Sequence, residues 1–253
     1  RIGNAVLIYG MAVFDEQLFV GTCVAGKNQA GRVYRYDGES WTDCGAPDRC
    51  NAVSSLAVYK GQLYVGVSKY RLAGSSLDES ENPHLGGKVY RYERNNQWVH
   101  CGTLPEVEAI NGMVVYRGKL YASSMYAPAG FFRYEGDKNW TSCGTPDGKR
   151  VESLTVHNGS IYATGYDEGA VYRFDGESWE HAGRIAGATQ TYGFATHQGD
   201  LYVSEWPNAK VFRYGGDRSW IDVGQLGNEK ETMPLAVYNG KMYGGTLPLA
   251  EVY

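Results

Sequence analysis

The chain has 253 residues, with 24 Lys and Arg against 28 Asp and Glu and a net charge of −4. Acids and bases are interspersed, which excludes a general nucleic-acid binder whose affinity depends on a basic stripe. The sequence has no apolar run of about 20 residues and therefore predicts no membrane span. Its length fits one all-β domain over residues 1–253.

A hairpin pattern occurs six times along the chain. In each copy, two runs rich in Val, Leu, Tyr and Phe flank a tight turn such as Tyr-Lys-Gly-Gln, which is typical of a two-stranded hairpin. The copies begin at Gly10, Ser55, Gly112, Ser153, Gly193 and Pro234. These runs predict the first two strands of a repeating unit.

A second pattern follows five of the hairpins. A run resembling Val-Tyr-Arg-Tyr predicts a third strand, and a turn such as Asp-Gly-Glu-Ser leads into a fourth strand with a tryptophan. These tryptophans lie 57, 42, 39 and 41 residues apart, and they are Trp41, Trp98, Trp140, Trp179 and Trp220. Four antiparallel strands repeated about every 40 residues predict an all-β protein, a β-propeller of six four-stranded blades.

The sixth unit is incomplete. It stops at residues 251–253, in the middle of its third strand and while it still matches the repeat. An open blade leaves an unpaired strand edge. Either residues 1–7 complete the last blade or the chain is part of a longer protein, and we expect the second.

The repeat resembles the kelch and galactose-oxidase class of propellers over nearly the whole chain. The resemblance lies in the hairpin around Asn-Gly-Lys, the Val-Tyr-Arg-Tyr strand and the tryptophan strand, and it implies architecture alone. Most units lack the double glycine of kelch repeats after the second strand, which only Gly244 and Gly245 supply. The turns also resemble sialidase Asp-boxes, but Asp37 and Gly38 are adjacent, so they give no support for sialidase activity.

Three further expectations concern the framework. The repeated tryptophans should lie in the core, since large aromatic side chains dominate buried contact area. The arginine of each third strand should pair with a neighbouring acid, and these arginines are Arg35, Arg91, Arg133, Arg173 and Arg213. The insertion from Ser68 to Gly87 should form a solvated, mobile loop, since it has no regular calcium-ligand spacing.

Functional residues are expected on the face formed by the loops before the first strand and after the second strand of each unit. Trp206 is the only tryptophan outside the repeated position, and it follows Glu205. An aromatic face beside a carboxylate suits a sugar ring, although the tryptophan could equally plug the channel. The predicted ligand-binding residues are Trp206, Glu205, Tyr166, Asp167, Tyr192 and Asn111.

The first hypothesis is therefore a binding module for a carbohydrate or another polar ligand, with no cofactor or metal. A second is a scaffold that binds a protein segment across the same face. A third is a polysaccharide-degrading glycosidase or lyase, in which Glu152, Glu205 and Tyr166 would be the catalytic residues. We expect a binder rather than an enzyme, with no nucleic-acid or membrane partner.

The cysteines bear on the compartment. Cys44, Cys101 and Cys143 share one repeat position and mark a small buried site rather than a disulfide. Cys23 and Cys50 lie outside the repeat and should reach the same face in adjacent blades, so a disulfide between them is possible. Such a bridge would favour an extracellular or periplasmic location.

Overall fold

The computed structural model describes residues 2–75 and 77–253, and these residues are almost entirely β-strand and connecting loop. The only helical segments among them are two short 3-10 turns, Leu72–Ser75 and Pro146–Gly148. The prediction of an all-β chain is confirmed. The chain divides into two compact units, residues 1–143 and 144–253.

The first unit contains three groups of four antiparallel strands. The first two groups join in one sheet because Cys23, at the end of the second strand, pairs with Ala52. The third group forms a separate sheet in sequence order. The strands are β1 (Leu7–Phe14), β2 (Gln17–Cys23), β3 (Val33–Tyr36), β4 (Trp41–Asp43), β5 (Ala52–Tyr59), β6 (Gln62–Ser68), β7 (Lys88–Glu93), β8 (Gln97–Thr103), β9 (Ile110–Tyr116), β10 (Lys119–Ser124), β11 (Phe131–Gly136) and β12 (Asn139–Ser142).

The second unit contains two four-stranded antiparallel sheets and a two-stranded hairpin. After the hairpin, Gly245 pairs with Val252 in an isolated bridge. The strands are β13 (Val151–His157), β14 (Ser160–Gly165), β15 (Ala170–Phe174), β16 (Trp179–Arg184), β17 (Gln190–His197), β18 (Asp200–Trp206), β19 (Lys210–Gly216), β20 (Ser219–Gln225), β21 (Glu231–Tyr238) and β22 (Lys241–Leu247).

Each predicted hairpin forms because its two turn residues adopt the positive φ angles that a two-residue turn requires. In the β5–β6 hairpin, Tyr59 pairs with Gln62 across Lys60 and Gly61. Both turn residues have positive φ, 50° and 70°. Two consecutive positive φ values match the right-handed twist of the strands on either side.

The hydrophobic core lies between neighbouring four-stranded groups. In the first unit, Tyr64 and Val89 pack with Leu120 and Phe132 of the following sheet. In the second unit, Tyr162 and Leu201 belong to one cluster that joins two sheets. Apolar side chains on both faces of the inner strands are buried in this way, which explains why their sequences do not alternate cleanly with polar residues.

The prediction that the repeated tryptophans are buried in the core is only partly met: Trp98, Trp140 and Trp220 pack against the core clusters, but none of the five is fully buried. Trp41 is 41% exposed, and the other four are half-buried on the outer strands. Each ring packs on an aromatic side chain of its own third strand, with ring centroids 4.9 to 5.0 Å apart. Four indole N–H groups also donate to a backbone carbonyl of the preceding group of strands, with Trp98 bonding to Cys44, Trp140 to Cys101, Trp179 to Gly144 and Trp220 to Ala182.

The expected pairing of the repeated arginines is confirmed in four units. Their partners are Glu93 for Arg91, Glu135 for Arg133, Glu180 for Arg173 and Asp200 for Arg213. Arg35 donates instead to the side-chain oxygen of Gln17, at 3.4 Å. These arginines therefore belong to the framework.

The described residues of the insertion between Ser68 and Gly87 are anchored to the rest of the unit at several points, while about half of them are exposed as predicted. Leu72 is fully buried, and Asn51 exchanges two hydrogen bonds with the backbone of Tyr70. The Ser80 hydroxyl donates to the carbonyl of Ala25. The sequence did not reveal these contacts because they join segments far apart in the chain.

Candidate functional site

A β-bulge lies at the same place in all six hairpins, near the start of the first strand. The register shifts there because one more residue stands on the first strand than on its partner. The residues at this position are Tyr9, Ser54, Asn111, Glu152, Tyr192 and Met233. Bulges redirect side chains and often border functional sites, so three residues that the sequence predicted, Asn111, Glu152 and Tyr192, stand at a specialised backbone position.

In residues 144–253, the bulge residues meet polar and aromatic side chains at the adjacent strand ends. We call this set the rim cluster. It consists of Arg150, Glu152, Tyr166, Asp167, Gln190, Tyr192, Trp206 and Glu231. The cluster brings together five of the residues that the sequence predicted.

Arg150 organises one end of the rim cluster. Its guanidinium carbon lies 3.8 Å from the centroid of the Tyr166 ring, and its Nη2 lies 3.4 Å from Oδ1 of Asp167. A guanidinium on an aromatic face makes a cation–π contact while its N–H donors remain available. Tyr166 and Asp167 directly follow β14, so the stacked Arg150 holds this loop against the start of β13.

Tyr192 occupies the middle of the rim cluster. Its hydroxyl donates to Oε1 of Gln190 at 2.5 Å. Burial and a hydrogen bond with Glu231 raise the pKa of Tyr192 above its usual range, and the nearby Glu152 and Tyr166 act in the same direction. The phenol is therefore neutral and hydrogen-bonded among acceptors.

Trp206 lies at the end of β18, opposite Gln190 in the antiparallel register. Its carbonyl accepts a hydrogen bond from Thr189 N at 2.9 Å, which fixes the backbone of this strand end. The side chain is half-buried. Gln190, the register partner of Trp206, also accepts the hydrogen bond from the Tyr192 hydroxyl.

Glu152 is a buried carboxyl group, with 6% of the residue exposed. Burial raises the pKa of this carboxyl to about 8, with the Arg150 charge opposing the shift and the Asp167 charge adding to it. Such a group keeps its proton at neutral pH and can donate a hydrogen bond or a proton. Glu152 is thus chemically distinct from the exposed acids of the chain.

Glu205 differs from its expected role. The residue has 0% exposure, and its Oε1 accepts hydrogen bonds from the backbone N–H groups of Asn208 and Lys210 at 3.1 and 2.9 Å. Its Oε2 faces the side-chain amide of Asn208 at 3.4 Å. The carboxylate fastens the β18–β19 loop and is withdrawn from the surface, so it is not positioned to contact a ligand or to act as a partner of Glu152 in acid–base catalysis.

Two other predicted features lie in the first unit. Asn111 is a half-buried bulge residue of β9 and is not among the contacts that define the rim cluster. The predicted Cys23–Cys50 disulfide is not formed, since both cysteines are buried and free. Their thiols face the carbonyls of Val24 and Ala52 respectively.

The sequence analysis missed Gln190 and Glu231, although a signal was present. Two residues before the bulge, the last three units carry Arg150, Gln190 and Glu231. The first three units carry apolar residues at the same place, namely Leu7, Ala52 and Ala109. Reading the repeat two residues further upstream would have found both.

Among the described residues, no group of three or more His, Cys, Asp or Glu side chains could hold a metal ion. The same residues include no helix that is long and apolar enough to cross a membrane. The groups that the rim cluster offers for ligand binding are aromatic faces, a guanidinium, an amide and carboxyl groups.

No family model matches the chain, and no curated protein matches it. Solved structures do resemble it. One is the H270A variant of virginiamycin B lyase from Staphylococcus aureus with quinupristin, which has a TM-score of 0.75 at 14% identity and covers 100% of this chain and 85% of the lyase.

The extracellular domain of BT4673 from B. thetaiotaomicron has a TM-score of 0.68 at 13% identity and covers 96% of this chain and 31% of its own. The computationally designed protein Ika8 has a TM-score of 0.63 at 11% identity, with coverage of 97% and 69%. The chain therefore has a β-propeller-type fold. Similarity at this level of identity defines the fold and carries no activity with it.

Proposed function

We propose that the chain is a β-propeller module that binds a carbohydrate or a similar polyhydroxylated ligand at the rim cluster. The observation that carries the proposal is the alternation of aromatic and polar groups along one set of strand ends. Trp206, Tyr192 and Tyr166 are half-buried, with Gln190 between the first two and Arg150 on the ring of the third.

This arrangement matches the chemistry of a sugar. One face of a pyranose is apolar and packs on an aromatic ring, while its hydroxyl groups donate to carboxylates and amides and accept from guanidinium N–H groups. Asp167 and Glu231 supply acceptors, and Arg150 supplies donors. Glu205 contributes indirectly, by holding the loop that follows Trp206.

The experiment is a binding screen against a panel of neutral and acidic glycans, scored for both bound ligand and released fragments. We expect the Trp206→Ala and Tyr166→Ala variants to lose binding of the selected glycan about tenfold or more, since each removes a ring face. Trp41→Ala is the matched control, because Trp41 is an exposed tryptophan on β4, outside the cluster. Loss of binding in the control alone, or no glycan binding by the wild type, would contradict the proposal.

A second candidate function is polysaccharide cleavage, and the environment of Glu152 favours it. A carboxyl group that keeps its proton at neutral pH, beside a guanidinium, is suited to act as a general acid. Released fragments in the panel, abolished by Glu152→Gln with binding retained, would establish this function. If neither glycan binding nor fragments are found, a scaffold that binds a protein segment becomes the better hypothesis.

We also propose that the propeller has six units of the kelch type and acts outside the cytoplasm. The six bulged hairpins support the first point. The second is supported only by fold similarity to an extracellular domain, since the disulfide that favoured it is not formed. Fractionation of the source cells tests the location, and recovery in the cytoplasm would contradict it.

A further inference from the structure

A cleft of about 220 Å³ lies in the first unit, apart from the residues of the rim cluster. Three segments form it, namely the loop after β2, the loop before β5, and the insertion between β6 and β7. The lining residues are Lys27, Asn28, Gln29, Ala30, Arg49, Asn82 and His84. The size suits a small ligand or one chemical group of a larger one.

Asn82 joins the three segments into a fixed wall. It is 1% exposed, and its side-chain amide donates to the backbone carbonyls of Gln29 and Arg49 at 2.7 and 2.8 Å. Its side-chain oxygen accepts from the backbone N–H of His84 at 2.8 Å. A buried amide with its hydrogen bonds satisfied holds the cleft in one shape before any ligand arrives.

Further hydrogen bonds hold the insertion that carries Asn82 in place. The Lys69 ammonium donates to the carbonyls of Ser80 and Asn82, and the Ser80 hydroxyl reaches Ala25 at 3.0 Å. These bonds keep the insertion against the loop after β2. The cleft is therefore a built feature of the fold rather than a chance gap between mobile loops.

The lining of the cleft is cationic. Lys27 and Arg49 contribute cationic groups and His84 an imidazole, and no carboxylate among the described residues lines the cleft. Among the described residues, neither Lys27 nor Arg49 takes part in an ion pair. The carboxylate next to Arg49 in sequence, Asp48, is already bound by the Lys88 ammonium at 2.9 Å and by the Tyr90 hydroxyl at 2.5 Å.

We propose that this cleft binds the oxyanion group of a small ligand, a phosphate, a sulfate or a carboxylate. Arg49 and Lys27 supply charge-assisted hydrogen bonds, which are the stronger class. The exposed amide side chains of Asn28 and Gln29 provide further donors, and the imidazole of His84 completes the lining. The site is independent of the rim cluster, so it adds a second ligand chemistry to the module.

The test is an NMR titration of the purified chain at low ionic strength with inorganic phosphate, sulfate, glucuronate and, as a neutral control, glucose. We expect saturable shifts of resonances from residues 27–30 and 82–84 with at least one of the three anions and none with glucose. Added salt should weaken the binding, because exposed charges are screened. The three anions distinguish the kind of oxyanion.

Charge-removing variants make the test specific. Arg49→Gln and Lys27→Gln should each weaken anion binding by roughly three- to tenfold. Because Asn82 binds the backbone carbonyl of residue 49, neither the wall nor the fold depends on the replaced side chain. Arg94→Gln is the matched control, since Arg94 is an exposed arginine of the same unit outside the cleft.

The proposal is overturned if no anion gives saturable shifts, or if Arg49→Gln and Arg94→Gln weaken binding equally. Glycan binding at the rim cluster is measured on the same Arg49→Gln protein. We expect it to remain unchanged, which keeps the outcomes for the two sites separate.

Discussion

At the residue scale, the burial of Glu152 in the rim cluster makes the stability of the folded chain depend on pH. The pKa of its carboxyl is raised to about 8 by burial in the folded chain, against about 4.3 for an unperturbed glutamate. Between these two values the unfolded chain has lost a proton that the folded chain keeps. Glu152 therefore lowers stability progressively as the pH rises through this range and has its full effect above pH 8.

Replacing Glu152 with Gln removes the ionisable proton while nearly preserving the shape. We expect the free energy of unfolding of Glu152→Gln, relative to the wild type, to rise by up to about 1.4 kcal/mol per pH unit between about pH 5 and pH 8 and then to level off. Urea denaturation at a series of pH values measures it. Parallel pH profiles for the two proteins would show that Glu152 ionises normally in the folded chain.

Glu205 shows why single residues were harder to predict than strands. The sequence singled it out because it precedes Trp206, the only tryptophan outside the repeated position. Its function in the fold depends on the backbone N–H groups of Asn208 and Lys210, which turn towards it only once the loop after β18 has folded. A carboxylate that accepts loop N–H groups and one that accepts sugar hydroxyl groups have the same sequence signature.

At the element scale, the tryptophan strand of one group closely approaches the glycine of the group before it at Gly102 and Gly183, whereas a Cβ atom at Gly144 would meet nothing within 4 Å. A glycine follows each repeated tryptophan by four residues. Gly102 has a φ of +111°, and a Cβ atom there would lie 2.5 Å from the carbonyl oxygen of Lys138 and 2.8 Å from the Trp140 ring. Gly183 stands in the same relation to Arg218 and Trp220.

This contact predicts a large effect for Gly102→Ala. Gly136 is a matched control, since its φ is +114° but a Cβ atom there would meet nothing within 4 Å. Both alanine variants carry the cost of an unfavourable backbone conformation, about 1 to 2 kcal/mol. We expect Gly102→Ala to lower the free energy of unfolding by about 2 kcal/mol more than Gly136→Ala does. The reason is that only at Gly102 would the added Cβ atom overlap the neighbouring strand.

Chemical denaturation of the two variants under the same conditions measures the difference. Equal losses would mean that the close approach of Trp140 does not contribute to stability.

The expectation from sequence placed the tryptophans in the core. In the structure they lie on outer strands, and four of the five indole N–H groups bond to a backbone carbonyl earlier in the chain. The sequence indicated this only through the repeated spacing of tryptophan and glycine.

At the scale of the whole molecule, the repeat determines the fold, and the departures from it indicate where the proposed sites lie. Hairpin turns such as Lys60–Gly61 and the Val-Tyr-Arg-Tyr strands were predictable because their information is local. The wall that Asn82 builds was not predictable, because it depends on contacts between segments that are more than 30 residues apart. The similarity of the chain to solved propellers at 11–14% identity likewise shows that very different sequences form this fold.

The central claim is that Trp206 and the rim cluster contact the ligand, and the indole N–H signals in a ¹H–¹⁵N spectrum test it most directly. The Trp206 signal is assigned by its absence from the Trp206→Phe variant, and the glycan that binds best is then titrated into the wild type. We predict that the Trp206 signal shifts with the bound fraction while those of Trp98, Trp140 and Trp220, whose N–H groups are bonded to backbone carbonyls, stay in place. A saturating glycan that leaves the Trp206 signal unmoved would contradict the account.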